Sequence, residues 1–314
     1  MKKNPFIFSY DNKRYHTLNY HNRMTYGRKI YKAVLDCGFS CPNIDGTKGT
    51  GGCTLCDGGS GYFTDGTISI TAQLEKELKR IQERHGDVPV IAYFQANTNT
   101  YAPAEKLREI FFSVLDLKPY GISIGTRADC LPDDVIELLD ELNRKTNLTV
   151  ELGLQTVHDV TLEKINRCYT HAEFLAGFYK LKNKNIRTCF HIINGLPDET
   201  PEMMLETARQ VATMKPDALK IQMLHVIQGT ELEKLYNSGK FIPLTKEEYI
   251  NITVRQLEIL PPEIVIERIT GDGDKSKLIA PAWSTDKISV LGGIDKRLAE
   301  LDTWQGKYFK KNLP

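Results

Sequence analysis

Four of the seven cysteines in this 314-residue chain fall inside twenty residues, CGFSCPNIDGTKGTGGCTLC, as Cys37, Cys41, Cys53 and Cys56. The total is odd and the group sits near one end of a long chain, whereas disulfide scaffolds are small, secreted and evenly paired. Thiolates serving a metal are the better match. Cys53-x-x-Cys56 is a chelating turn, because two intervening residues let both sulfurs face one metal. Two chemistries stay open. All four cysteines could enclose zinc in a module that binds RNA without catalysis. Three of them, Cys41, Cys53 and Cys56, could instead hold three irons of a 4Fe-4S cluster and leave the fourth iron open for a ligand. The glycines threaded through the loop, Gly46, Gly49, Gly51, Gly52, Gly58, Gly59 and Gly61, let backbone approach such a group closely.

The elements that must present this loop follow from apolar spacing. Short β-branched runs recur at 29–35, 88–95, 121–127, 148–156, 186–197 and 218–226, and IVIERI (264–269) is either a seventh strand or an appendage. Amphipathic helices lie between them, as in Leu74, Leu78 and Ile81 or Phe174, Leu175, Phe178 and Leu181. Strands alternating with helices imply an α/β fold of parallel strands with right-handed crossovers. No Gly-x-Gly-x-x-Gly follows a strand, which argues against a dinucleotide sheet. Six strands fall short of eight, so the expected architecture is a partial, open (β/α)6 TIM-like barrel whose site lies at the C-terminal strand ends. The cysteine loop falls there after the first strand, with Gln95, Arg127, Gln155, Asn194-Gly195 and His225 ending others. The expected divisions are a basic N-terminal arm (1–28), the barrel (29–230) and a C-terminal extension (231–314).

Composition is that of a soluble globular protein: 41% hydrophobic, 26% charged, net charge +1. No apolar run reaches the roughly 18 residues of a membrane span, and no signal core precedes the fold, so a cytoplasmic protein without a membrane partner is expected. Charge is uneven. Residues 1–34 carry eight basic side chains against Asp11 alone, interleaved with Tyr10, Tyr15, His16, Tyr20, His21 and Tyr26. Such a segment offers phosphate contacts and stacking surfaces for unpaired bases, or is simply a solvated arm.

The spacing Cys41-x11-Cys53-x2-Cys56 resembles the expanded cysteine motif of radical S-adenosylmethionine (SAM) enzymes related to the catalytic subunit of Elongator. Further motifs agree in order: Glu151-Leu-Gly-Leu-Gln-Thr, Ile165-Asn-Arg167, His191-Ile-Ile-Asn-Gly-Leu-Pro197 and Leu224-His-Val-Ile-Gln-Gly-Thr230. FSCPN-x-DG, GGCT-x-C, AYFQA and GTRADC bring the chain nearest the YtqA/YhcC-type, MnmL-like group, over about residues 25–285. The resemblance implies a 4Fe-4S cluster on Cys41, Cys53 and Cys56, and SAM on the open iron. It places Gln95 and Asn97 at the methionyl amino group, Gln155 and Arg167 at the carboxylate, and Glu151 in the same cofactor-binding motif. His191 stands where a ribose-contacting acid is usual, and Gly195, Pro197 and His225 flank adenine. Arg127 and Asp129 are the candidate catalytic pair, facing substrate or SAM. Cys37 lies outside the motif as a barrel-mouth residue, and Cys130, Cys168 and Cys189 are expected to be structural. By the same resemblance the substrate is the anticodon region of tRNA, with 5-carboxymethylaminomethyl-uridine converted to 5-aminomethyl-uridine. A flavodoxin or ferredoxin would supply electrons. A small metabolite or a protein side chain is the alternative substrate.

Overall fold

The computed structural model describes residues 4–57, 64–271 and 273–309. Gly58, Gly59 and Gly61 of the loop, and Lys2 and Lys3 of the arm, lie outside the described residues. In chain order the first elements are α1 (Leu18–Tyr26), β1 (Tyr31–Leu35), α2 (Ile70–His85), β2 (Val90–Phe94), α3 (Ala104–Ser113), β3 (Gly121–Thr126) and α4 (Asp133–Asn143). Next come β4 (Asn147–Gln155), α5 (Asp159–Lys164), α6 (His171–Asn183), β5 (Arg187–Asn194), α7 (Pro201–Met214), β6 (Ala218–Met223) and β7 (Val226–Ile227). The chain then forms α8 (Glu231–Asn237), α9 (Lys246–Ile259), β8 (Val265–Arg268), β9 (Leu278–Ala280) and α10 (Lys287–Glu300).

Seven strands make one sheet in the order β1-β2-β3-β4-β5-β6-β8, with every pair parallel. The sheet curls into a half barrel. All six expected strands are present, and IVIERI supplies the seventh. β7 and β9 form a separate antiparallel ribbon. Local sequence sets the helix boundaries. Thr170 and Glu173 form a capping box at the start of α6, as do Thr245 and Glu248 at α9. Pro201 sits in the first turn of α7 behind Thr200, where its missing N–H costs nothing.

Strand periodicity then sorts the side chains. One face of each strand packs outward under helices: Phe94 meets Phe111 at 5.1 Å between ring centroids, and Phe190 meets Phe174 and Phe178 at 5.0 and 4.8 Å. The alternate face, carrying Tyr93, Ser123, Glu151, His191 and Lys220, turns into the barrel.

Residues 13–17 pack against the barrel, whereas Ile7 and Tyr10 are exposed. Arg14, Tyr15 and His16 are buried. Arg14 donates to Asp302 (2.9 Å), and Ile266 of β8 donates its N–H to the His16 carbonyl (2.7 Å), so the segment covers the open edge of the sheet. His16 stacks on Phe8 at 4.6 Å, and Tyr26 meets Tyr120 at 5.1 Å. Pro262, which His16 contacts, and Tyr120 both precede strands, so these rings gather at the N-terminal strand ends. Ring pairing holds them there, away from the C-terminal strand ends.

Phe190→Ala should cost about 3–5 kcal/mol in denaturant unfolding, because it empties an inaccessible site between two rings. Tyr10→Ala, at a half-exposed ring, should stay within about 0.5 kcal/mol of the parent.

Candidate active site

A cavity of about 340 Å³ opens at the C-terminal strand ends, and Cys41, Cys53 and Cys56 all line it. Gln95 and Asn97 after β2, Arg127 after β3, Gln155 of β4 and Arg167 after α5 line it too. Tyr93, Glu151 and His191 also line it. Asp129, Gly195, Pro197 and His225 do not. Asp129 is turned to Arg127 and Lys48. Gly195 gives its N–H to Met204 Sδ (3.2 Å) and its open side to Leu244, and Pro197 is buried beyond it. The His225 ring lies against Gly271 and Gly273, and Gly273 takes its place on the cavity wall.

The cysteine loop has almost no regular structure, and polar contacts pin it. Thr54 donates its N–H to the Ile165 carbonyl (3.0 Å), and Asn166 donates to the Gly52 carbonyl (2.8 Å). Asn43 donates to the Asn166 carbonyl and reaches Cys53 Sγ at 3.4 Å. Asn97, at φ +57°, donates to the Phe39 carbonyl (2.8 Å). Lys48 Nζ meets Asp129 at 2.7 Å, and Asp129 takes both arms of Arg127 at 2.9 Å each. No three of Cys37, Cys41, Cys53 and Cys56 bring their sulfurs within 4.8 Å of one another. Zinc–sulfur bonds of about 2.3 Å in a tetrahedron require sulfurs about 3.8 Å apart, so the four do not form a zinc shell. Cys37 instead packs on the core, where burial and Asp36 push its thiol up to about 12. Cys130 and Cys189 are buried as expected; Cys168 is half-exposed at φ +57° beside the loop, its sulfur against Gly49.

Glu151 anchors the cavity floor. Its carboxylate accepts from Lys32 (2.9 Å), Tyr93 (2.8 Å), Ser123 (2.7 Å) and His191 Nε2 (2.8 Å), and Lys220 joins them. Burial pushes this carboxyl up, but Lys220 and Lys32 outweigh it and hold the pKa well below the usual range. Glu267, which pairs with Lys32 and Arg187, is lowered to about 2 despite its burial, chiefly by Lys32 and Lys220. His191 is lowered to about 4 by burial and by Lys220, so its Nε2–H donates to Glu151 from a neutral ring. Sequence reading picked out Glu151 and His191 but missed Lys32, Tyr93, Ser123 and Lys220. The available signal was a single polar or charged residue set inside each of several otherwise apolar strands, as Lys32 in YKAVL, Tyr93 in VIAYF and Lys220 in ALKIQM.

Residues 44–211 match the radical SAM superfamily and residues 216–300 its C-terminal domain. The chain belongs to the radical SAM superfamily. It is 49% identical to the uncharacterized protein YtqA of Bacillus subtilis over 314 residues, 99% of this chain and 98% of that protein. It is 30% identical to the tRNA uridine(34) acetyltransferase of Methanocaldococcus jannaschii over 155 residues, 48% of this chain and 28% of that one. Elp3 of Methanocaldococcus infernus shares the fold, with a TM-score of 0.69 at 17% identity over 88% of this chain and 64% of that one. This radical SAM enzyme uses a 4Fe-4S cluster and SAM. Its own residues fit both. Three thiols line one cavity at a spacing wider than a single ion takes. Gln155, held at φ +66°, leaves a buried Oε1 without a hydrogen-bond partner among the described residues, as Arg167 leaves its Nε. No helix among the described residues is long and apolar enough to cross a membrane.

The sign of the pH dependence follows from the lowered values. Between pH 6.5 and 4 the unfolded chain binds the His191 proton and the folded chain does not, so stability is full above about 6.5 and falls toward 4. Glu267 adds a second loss between about 4.5 and 2. In denaturant unfolding, His191→Gln should flatten the first decline by up to about 1.4 kcal/mol per pH unit, one proton's worth. Equal slopes in both proteins would refute the burial of a neutral imidazole.

Proposed function

We propose that this enzyme removes the carboxymethyl group from 5-carboxymethylaminomethyl-uridine at the tRNA wobble position, leaving 5-aminomethyl-uridine. Support for tRNA comes from the likeness to tRNA uridine(34) acetyltransferases across 155 residues. The observation that carries the reading is one cavity lined by three cysteines and by amide and guanidinium side chains. In this reading Cys41, Cys53 and Cys56 are the cluster ligands. Gln95, Asn97 and Gln155 orient the methionyl end of SAM, and Arg167 meets its carboxylate. When bound, cluster and SAM supply a 5′-deoxyadenosyl radical able to take hydrogen from carbon. The protein supplies orientation and a water-poor wall. Arg268 lines the same cavity, so a carboxylate-bearing substituent enters beside a guanidinium. Loss of a hydrogen atom to the deoxyadenosyl radical and of an electron to the oxidised cluster would turn the methylene between nitrogen and carboxylate into an imine carbon, and water adding there would break the carbon–nitrogen bond, releasing the carboxymethyl carbons as glyoxylate and leaving the amine on the uridine. A flavodoxin or ferredoxin is the proposed electron donor.

Mass spectrometry of tRNA nucleosides from cells lacking the gene should show 5-carboxymethylaminomethyl-uridine accumulating and 5-aminomethyl-uridine derivatives depleted. The wild-type gene should restore the pattern, and a Cys53→Ala copy should not. An unchanged nucleoside profile would redirect the search to a small metabolite or a protein side chain.

A further inference from the structure

Two guanidinium groups, from Arg127 and Arg167, reach two of the three cavity cysteines. Arg127 Nη1 lies 3.9 Å from Cys41 Sγ, and Arg167 Nη1 lies 3.8 Å from Cys53 Sγ. Both guanidinium carbons stand over the ring of Tyr169, at 4.8 and 4.9 Å from its centroid. The Tyr169 hydroxyl donates to the Gly153 carbonyl at 2.6 Å and accepts from Arg167 Nη2 at 3.2 Å. Arg127 is fixed on its other edge by the two-point contact with Asp129, whose carboxylate also holds Lys48 of the cysteine loop. Arg167 has no carboxylate among its described partners; it donates to the Gly153 carbonyl at 3.0 Å. Gly153 is bare because a Cβ there would stand 2.8 Å from Gln155 Nε2 and 2.9 Å from Arg167 Nη2.

A buried guanidinium without a carboxylate is costly unless an anion compensates it. Arg167 is such a group, and both it and Arg127 reach sulfurs that are thiolates when the cluster is bound; reduction adds one further negative charge to a thiolate-bound cluster in a poorly solvated cavity. Hydrogen bonds and positive charge at cluster sulfurs favour the reduced state. We propose that Arg127 and Arg167 are positioning residues that set the reduction potential of the cluster by donating to the sulfurs of Cys41 and Cys53, with Tyr169 as the shared platform that aims them. This rests on the reading of Cys41, Cys53 and Cys56 as cluster ligands. It gives Arg127 a task at the cluster, and Asp129 the opposing one of offsetting that charge.

The test is an anaerobic redox titration of reconstituted full-length protein with dithionite, followed by electron paramagnetic resonance, with iron counted per chain. Arg127→Gln and Arg167→Gln should each lower the ratio of reduced to oxidised cluster at fixed poise about tenfold, a negative shift of about 59 mV. Lysine at either position, keeping charge without the fork, should recover part of it. Asp129→Asn, which removes a negative charge and leaves both arginines, should shift the potential the other way. A merely structural role would not produce opposite signs. Potentials unchanged across the glutamine variants would overturn the proposal. If those variants hold no iron, Asp129→Asn decides: a positive shift supports the proposal, and none or a negative one overturns it. Wild-type protein that takes up no iron–sulfur cluster would instead defeat the ligand reading itself.

Discussion

The cysteine loop carries too little regular structure to place its own sulfurs, so every chemical property of the site depends on what the loop touches. Two neighbours bracket its middle and its second half. Asp129, after β3, holds Lys48 at the loop's middle. The turn Ile165-Asn166-Arg167 holds Asn43, Gly52 and Thr54 on either side of Cys53. Because these contacts are mostly hydrogen bonds to backbone carbonyls, the loop is fixed by shape and directionality rather than by apolar burial. Gly49 belongs to the same constraint, since the Asn43 side chain and the Cys168 sulfur leave no room for a Cβ beside it.

Beneath the loop the barrel interior is ionic where its outer face is oily. A carboxylate with five donors is an expensive group to bury, and removing any single partner would strand charge in a poorly solvated core. The arrangement keeps Glu151 ionised and His191 neutral at ordinary pH, so the cavity floor presents fixed dipoles rather than mobile charge. Such preorganisation suits a site in which a reactive carbon radical must meet few labile hydrogens.

Much of this was legible in the sequence, for identifiable reasons. Strands and helices alternate with periods that differ sharply, and the strand-end motifs fall in order, so the half barrel and the cysteine trio could both be read. The ionic layer could not be read as a unit, because Lys32, Glu151 and Lys220 are 119 and 69 residues apart in pairs that only barrel closure brings together. The packing of the basic N-terminal segment was hidden for the converse reason. Its charges and rings have the composition of a nucleic-acid arm, yet Arg14 finds Asp302 and His16 finds Phe8 and Pro262, partners that composition does not reveal. The contact of the His225 ring with Gly271 and Gly273 was not legible either, because a motif fixes a position along the chain but not the glycine backbone that packs against the side chain.

In the proposed cluster, three thiolates leave one iron of four unprotected by protein. Mössbauer spectroscopy of protein reconstituted anaerobically with 57Fe, recorded before and after SAM is added, addresses it directly. The account predicts that about one quarter of the iron signal changes on SAM addition while the rest stays put, as three-cysteine ligation requires. Four irons indifferent to SAM, or a protein that takes up zinc in preference to iron, would contradict it.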